Sequence, residues 1–320
     1  MDLLAVPPVS LRQLQYIVAV ADARSFRRAA EACHVAQPSL SAQVALAEEQ
    51  LGIRLFDRDR RGVRLTHGGE ALVDQARRVL LAAGDLRSLA QQFRDPFHGT
   101  LRVGVIPTVG PYLLPDITPA LGRDYPDLTL IWSEERTERL VEQLDSGALD
   151  AAILALEAPI GECEYAILGR DPFVLAARPD HPLVRPHAPA TLEALNGAPL
   201  LVLNEGHCFK DQVQSLCAHT GVRKMSFQAT SLSTLVQMAG AGTGVTLLPA
   251  LAVPVENRRG QLRVRRFAPP VPGRTLILAW RRGSALRPAF SKLADTMRKA
   301  YPRRKLMAST ARETSHADGK

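Results

Sequence analysis

The sequence predicts a chain in two parts, a helical N-terminal unit carrying a β-hairpin and a larger α/β unit, joined by one long helix. Three observations carry this. Apolar residues recur at helical spacing through residues 11–51, with a break at 34–36 and a stop at Gly52. From Leu72 to Phe93 they recur at steps of 4, 3, 4, 3, 4 and 3, a heptad seam. Beyond residue 99, short β-type apolar runs alternate with helical patterns, the order of an α/β domain with largely parallel sheets.

Taken in order, Leu11, Leu14, Ile17 and Val18 supply the first helix with an apolar face. Ser25 caps a second helix through Phe26, Ala29, Ala30 and Cys33. Gln37-Pro38-Ser39 opens a third, with Pro38 suited to the first helical position; Leu40, Val44 and Leu51 form its buried face. The runs Leu55-Phe56 and Val63-Arg64-Leu65 bracket Asp57-Arg58-Asp59-Arg60-Arg61-Gly62, a hairpin with a basic tip. The seam follows Thr66, through Leu72, Ala76, Val79, Ala83, Leu86, Ala90 and Phe93. A lone helix would leave it wet, so a partner helix is expected, with Leu72, Val79 and Leu86 mediating self-association; the bland alternative is packing on its own domain. Residues 95–99 form a breaker cluster. Strands are then expected at 101–106, 128–132, 151–154, 173–177, 200–203, 245–248 and 275–280. Helices are expected at 111–121, 137–145, 234–241 and 286–301. About 200 residues suffice for two small α/β units with a cleft between them. The polar tail, 303–320, is expected to be disordered.

Composition narrows the function. With 46% apolar and 22% charged residues in 320, whole-chain disorder is excluded, and four cysteines do not make a disulfide scaffold. The longest apolar stretch, 244–255, is interrupted by Pro249 and Pro254, short of a membrane span. The start lacks the positive region of a signal peptide, so a cytoplasmic protein with reduced thiols and no membrane partner is expected. A net charge of +8 favours a polyanionic partner. Residues 256–305 hold 15 basic residues against two acidic ones, while the first 95 residues hold 13 arginines against 11 acidic residues. Total charge therefore does not locate a nucleic-acid surface.

The cysteines divide by context. Cys33 lies on an apolar helix face and reads as core. Cys163 sits between Glu162 and Glu164, which disfavour a thiolate. At Phe209, Val213 and Leu216 the spacing i, i+4, i+7 suggests a helix that Gly221 ends. Cys208 falls in its first turn, where the helix dipole favours a thiolate, beside His207, Lys210 and Asp211. From the residues alone, Cys208 reads equally well as a small buried apolar residue. A zinc site of His207, Cys208, Cys217 and His219 is disfavoured, because the two pairs lie at opposite ends of that helix. No metal or other cofactor is expected. Thr108 at a strand end and Thr137 at a helix N-cap lie where α/β clefts place small-ligand contacts, or they simply cap. Arg274 reads equally as a solvated surface arginine.

Residues 29–41, Ala-Ala-Glu-Ala-Cys-His-Val-Ala-Gln-Pro-Ser-Leu-Ser, resemble the helix-turn-helix signature of the LysR-type transcriptional regulators. Leu55-Phe56-Asp57-Arg58, Leu65-Thr66 and Gly68-Gly69 fit the wing and linker helix of that family. The resemblance covers roughly residues 10–302. Residues 106–115, the segment Gly206-His207-Cys208-Phe209-Lys210-Asp211-Gln212 with Cys217 nine positions after Cys208, and residues 229–232 and 244–254 resemble its peroxide-sensing branch. Lys210 departs from it, arginine being more usual there. The resemblance implies an N-terminal all-α winged helix-turn-helix DNA-binding domain at 1–66 and a linker and dimerisation helix at 67–95. At 99–302 it implies a redox-sensing effector domain of two Rossmann-like α/β subdomains, periplasmic-binding-protein-like. It implies a transcription factor rather than an enzyme, switched by an intramolecular Cys208–Cys217 disulfide, controlling oxidative-stress genes. Thr108, Thr137, His207, Asp211 and Arg274 would line the peroxide pocket. The implied partners are double-stranded operator DNA, a second copy in a homodimer or homotetramer, RNA polymerase, hydrogen peroxide as signal, and glutaredoxin or thioredoxin as reductant.

In a helix-turn-helix, the first residues of the recognition helix meet base edges while surrounding groups hold phosphates. Gln37, Pro38, Ser39, Ser41 and Gln43 occupy that position, and a glutamine can pair with adenine. Arg27, Arg28, Arg58, Arg60 and Arg61 are phosphate candidates. Two other readings compete. One is a LysR-type regulator that binds a metabolite and carries incidental cysteines. The other is a thiol oxidoreductase or solute binder, against which the lack of a Cys-x-x-Cys motif argues. On one helix, Cys208 and Cys217 would lie about 13.5 Å apart along the axis. A disulfide needs Cα atoms within about 7 Å, so the segment must unwind or bend for the bond to form.

Overall fold

A computed structural model of the chain describes residues 9–59, 62–92, 97–204, 208–216, 221 and 223–302. The chain divides into two compact units, Met1–Arg94 and Asp95–Lys320.

The first unit contains α1 (Leu11–Ala23), α2 (Phe26–Ala32), α3 (Gln37–Leu51), the hairpin β1 (Phe56–Asp59) and β2 (Gly62–Leu65), and α4 (His67–Gln92). Ser10 and Gln13 close a capping box on α1, and Arg24 ends that helix in the left-handed conformation. The face of α1 that is buried carries Gln13, Tyr16, Ile17 and Val20, while Leu11 is exposed. The inward stripe is thus rotated from the one expected, because the polar ends of Gln13 and Tyr16 find partners in Ser10 and Arg12. Ser25 caps α2 through the Arg28 N–H, and Gly52, at φ +68°, ends α3. The core gathers Ile17, Val20, Ala29, Leu40, Val44 and Leu55, with Phe26 edge-on to Phe56 at 5.9 Å.

Glu48 fixes the entry to the hairpin. Its Oε1 accepts from the backbone N–H of Leu55 at 2.7 Å and of Phe56 at 3.1 Å. Glu48→Ala leaves both donors without this acceptor and is expected to destabilise the N-terminal unit by about 1–3 kcal/mol, read as a lower urea midpoint. Thr66 starts α4 by accepting from Gly69 N–H at 2.9 Å. The seam of α4 then divides. Val73 and Ala76 are buried and Leu72 is half-buried against the unit's own core, and Arg77 pairs with Asp22 of α1. Farther along, Val79 is 38% and Leu86 71% exposed.

The second unit runs β3 (Gly99–Val105), α5 (Gly110–Asp124), β4 (Leu128–Glu134), α6 (Thr137–Asp145), β5 (Ala151–Ala155), β6 (Glu164–Ala177) and β7 (Pro199–Leu203). It continues through α7 (Cys208–Leu216), β8 (Arg223–Ala229), α8 (Leu232–Gly240), β9 (Thr246–Pro249), α9 (Val253–Glu256), β10 (Arg263–Arg266), β11 (Gly273–Trp280) and α10 (Arg287–Ala300). One sheet has the order β10-β6-β11-β5-β3-β4, with β9 also on β6, and β7 pairs β8 separately. Among the strand pairs of the described residues, β3–β4, β3–β5 and β7–β8 are parallel; β11 and β6 run antiparallel to their neighbours. The expectation of largely parallel sheets is therefore corrected: β6 and β11 bring the chain back along the sheet in the opposite sense.

Strand β6 is 14 residues long, against the five expected. Residues 164–172 pair with β11 and residues 173–177 with β9 and β10, so one strand serves both regions of the sheet. Its first half was not legible because Tyr165 and Ile167 face outward and Arg170-Asp171 interrupt the apolar run. The Arg-rich β10 and the polar β8 escape the apolar-run criterion for the same reason. Where β6 changes partners, a Cβ on Gly273 would lie 2.8 Å from both the Asp171 carbonyl oxygen and the Pro172 Cα. The missing side chain lets β11 close on β6 at this point. Among the described residues, no helix is long and apolar enough to cross a membrane.

Candidate functional site

A buried polar cluster lies at that junction. Arg274 and Asp171 face each other across the β11–β6 register, and neither side chain has exposed surface. Arg274 is the largest fully buried side chain among the described residues, so its reading as a solvated surface residue is overturned. Its Nε donates to Asp171 Oδ2 at 3.0 Å, and its two terminal nitrogens donate to Thr108 Oγ1 at 2.6 Å and to the Thr108 carbonyl at 2.8 Å. Asp171 Oδ1 accepts from Leu251 N–H at 3.0 Å. Burial pushes the Asp171 carboxyl above the ordinary range, while Arg274 and the N–H groups of Leu251 and Ala250 pull it back. The guanidinium lies 5.7 Å from the centre of the Phe209 ring, which in turn meets Phe173 edge-on at 5.1 Å.

This cluster reaches the cysteine segment directly. Cys208 is half-buried at the first position of α7, next to Phe209. Phe209, Lys210 and Val213 are its buried neighbours, and Asp211 is exposed. Gln212, one turn after Cys208, has both side-chain amide atoms buried without a hydrogen-bond partner. Asn204 Oδ1 and Thr137 Oγ1 are likewise buried and without partners. Buried polar atoms short of partners mark sites for a small polar ligand or water. The expected capping role of Thr137 is corrected. Arg136 is the N-cap and Thr137 is the first helical residue, with no side-chain cap bond. Thr108 does not cap either; its hydroxyl oxygen is taken by Arg274. His207, Cys217 and His219 lie outside the described residues.

Sequence reasoning missed Asp171, Phe209 as a contact of Arg274, and Gln212. The signal for Gln212 was present, as the i+4 position from Cys208 on the expected helix. Asp171 had none, because its partner is 103 residues away.

Burial raises the thiols of the other two described cysteines. Burial, then Asp145, pushes the Cys163 thiol up to about 11. The flanking carboxylates are not the cause, since Glu162 pairs with Arg282 and Glu164 with Arg287. Cys163 is expected to alkylate with a pH midpoint near that value, measured by mass spectrometry; a midpoint near the ordinary thiol range would contradict the assignment. Burial also raises the Cys33 thiol, which packs on the N-terminal core.

On the first unit, Gln37, Pro38, Ser39 and Gln43 are exposed at the start of α3 and Ser41 is half-buried. Ala36 is the N-cap without a side-chain bond, so neither Gln37 nor Ser39 is consumed in capping. Arg27 is exposed and lies 3.8 Å from Glu31, and Arg28 donates to the Ala23 carbonyl at 2.6 Å. Arg58 belongs to β1, its side chain not among those described, and Arg60 and Arg61 lie outside the described residues.

Residues 11–70 match the family described as bacterial regulatory helix-turn-helix protein, lysR family, and residues 94–302 match the LysR substrate binding domain. The chain belongs to the LysR family. A hydrogen peroxide-inducible genes activator of Pectobacterium carotovorum is 45% identical over 294 residues, covering 91% of this chain and 96% of that protein. A full-length OxyR variant from Pseudomonas aeruginosa has a TM-score of 0.75 at 39% identity, covering 91% of this chain and 95% of that one. A hydrogen peroxide-bound OxyR mutant from Corynebacterium glutamicum has a TM-score of 0.64 at 32% identity and covers 97% of each chain. The expected LysR architecture, a winged helix-turn-helix and a two-subdomain α/β regulatory domain, is the one found.

Proposed function

We propose that this LysR protein is a hydrogen peroxide-responsive transcriptional regulator whose switch is an intramolecular Cys208–Cys217 disulfide. The observation that carries this reading is the placement of Cys208. It opens α7 beside Phe209, which rests on the buried Arg274–Asp171–Thr108 cluster. The names of the relatives support the signal, and so does the peroxide-bound neighbour.

The chemistry is a two-step oxidation. The Cys208 thiolate attacks one oxygen of hydrogen peroxide, the S–O bond forms as the O–O bond breaks, and the departing hydroxide takes a proton to become water. The sulfur has lost two electrons to peroxide. The Cys217 thiol then displaces the sulfenic oxygen as a second water, leaving the disulfide. The pocket residues that the family resemblance implies are Thr108, Thr137, His207, Asp211 and Arg274, to which we add Gln212. One peroxide is consumed per switching event, so no enzymatic turnover is needed.

Helix geometry makes the bond a conformational event. Residues 208–216 span about 12 Å along the axis at roughly 1.5 Å per residue. A residue bonded to the end of that helix can recover only about 3.8 Å, and a disulfide needs Cα atoms within about 7 Å. α7 must therefore unwind or bend, and a change that includes its first turn withdraws Phe209 from Phe173 and Arg274. A covalently held rearrangement of this kind is what can respace DNA-binding heads.

The partners follow from the same reading. Double-stranded operator DNA meets Gln37, Pro38, Ser39, Ser41 and Gln43, with Arg27, Arg28, Arg58, Arg60 and Arg61 on phosphates. A second copy pairs along α4, in a homodimer or homotetramer. RNA polymerase is the downstream partner, and glutaredoxin or thioredoxin the reductant. Removing one of Arg58, Arg60 or Arg61 is expected to weaken binding across sequences and lower the salt slope by about one phosphate contact, whereas changing Gln37 alters base preference. An Arg60→Ala shift in preferred sequence at unchanged salt slope would contradict this. The function itself is tested by footprinting an operator with reduced and peroxide-treated protein. A changed footprint that a thiol reductant reverses is expected; an identical footprint would overturn the reading.

A further inference from the structure

We propose that Asp171 is the positioning residue of the peroxide site, holding the Arg274 guanidinium so that the Thr108 hydroxyl is left as a hydrogen-bond donor. This inference rests on the peroxide reading of Cys208 given above. A guanidinium is a planar fork of donors with no acceptor. In this protein Nε and one terminal nitrogen both lie 3.0 Å from Asp171 Oδ2, which fixes the rotation of the fork about its stem. The remaining donors then fall on Thr108, at its Oγ1 and its carbonyl. The carboxylate cannot swing to follow a displaced arginine, because its other oxygen is held by the Leu251 N–H at 3.0 Å. Leu251 follows β9 and Asp171 lies in β6 where that strand changes partners, so the anchor is made of two backbone segments.

The consequence for chemistry lies in the hydroxyl of Thr108. It has one hydrogen to give, and Arg274 can only donate. Because Oγ1 accepts from Arg274, its own hydrogen is left for another acceptor. In the oxidation of Cys208, charge develops on the departing peroxide oxygen, and a preorganised donor aimed at it lowers the barrier. The chain of influence is then Asp171 to Arg274 to Thr108 to the departing oxygen, with Asp171 itself touching no reactant. Asp171 carries none of the composition or motif signals that mark Cys208, and its role is visible only through the register that sets it opposite Arg274.

The test compares two reactions of the same sulfur in the full-length chain, both read by mass spectrometry of the Cys208 peptide. Oxidation by hydrogen peroxide needs the donor on the departing oxygen; alkylation by iodoacetamide does not. In Asp171→Asn, the oxidation rate is expected to fall about tenfold or more, while alkylation stays within about threefold of wild type. A merely structural role would move both rates together, since loosened packing exposes the thiol to either reagent. Arg274→Lys keeps the charge and loses the fork, so it is expected to slow oxidation selectively as well, and it serves as the test if Asp171→Asn does not fold. Combining the two substitutions is expected to slow oxidation no further than Arg274→Lys alone. Unchanged oxidation in either folded variant, or parallel changes in both reactions, overturns the role of Asp171 while leaving the peroxide function intact. A wild-type Cys208 that alkylates but does not react with peroxide would instead sink the peroxide reading and this inference with it.

Discussion

Cys208→Ser is expected to abolish the response to hydrogen peroxide, with the reduced protein's operator footprint persisting at every dose. A serine hydroxyl at the head of α7 fills nearly the same space, so the fold and the basal footprint are kept. It cannot be oxidised to a sulfenic acid, and the first of the two chemical steps is lost outright. The partial burial of Cys208 against the core keeps the stability effect of the exchange small, about 1 kcal/mol or less. Cys217→Ser separates the steps: Cys208 still reaches the sulfenic acid, which a dimedone adduct reports, but nothing locks the unwound segment. Cys33→Ser and Cys163→Ser should switch like wild type, because burial raises both thiols. A Cys208→Ser protein with a peroxide-dependent footprint would end this account.

The second large effect is expected at the open end of the α4 seam. Leu86 is 71% exposed on a 26-residue helix, and Val79, one heptad earlier, is also exposed. Ala83 and Ala90 alternate with them, so the ridge is small enough for a second helix to approach closely. If this stretch pairs two copies, the pair binds an inverted repeat with both recognition helices. The second contact then gains the effective concentration of a tethered site, about 10²–10⁴-fold in apparent affinity. Leu86→Arg places a charge in that seam and removes the advantage. Operator affinity is expected to drop about a hundredfold or more, with light scattering showing a mass near the 34.8 kDa of one chain. A native oligomer with full operator affinity would show that Leu86 faces no partner.

What the sequence made legible was local. Ser25, Pro38 and Gly52 are read by their positions at helix ends, and each does what its chemistry suggests. The heptad spacing of α4 was also readable, though not which part of it serves the unit's own core. Tyr16 displaced the expected stripe on α1 because an amphipathic residue can bury its ring and keep a polar tip partnered. The site divides along the same line. The helix that Cys208 opens came from spacing, whereas the site roles of Cys208, Thr108 and Thr137 came from the family resemblance, their positions alone reading equally as a core residue and two caps. The buried fork of Arg274 depends on Thr108 and Asp171, 166 and 103 residues away, and strand pairings of that range leave no local pattern. Asp171 even worked against recognition, since a charged residue inside an apolar run reads as the end of a strand.

Peptide mapping of non-reduced digests decides whether peroxide joins Cys208 to Cys217. Protein treated with a peroxide dose that changes the footprint is alkylated, digested and analysed beside the reduced control. The account predicts a Cys208–Cys217 linked peptide in the treated sample only, lost on incubation with a thiol reductant, with Cys33 and Cys163 still free in both. Finding Cys208 and Cys217 both reduced at a dose that has already changed the footprint would contradict it.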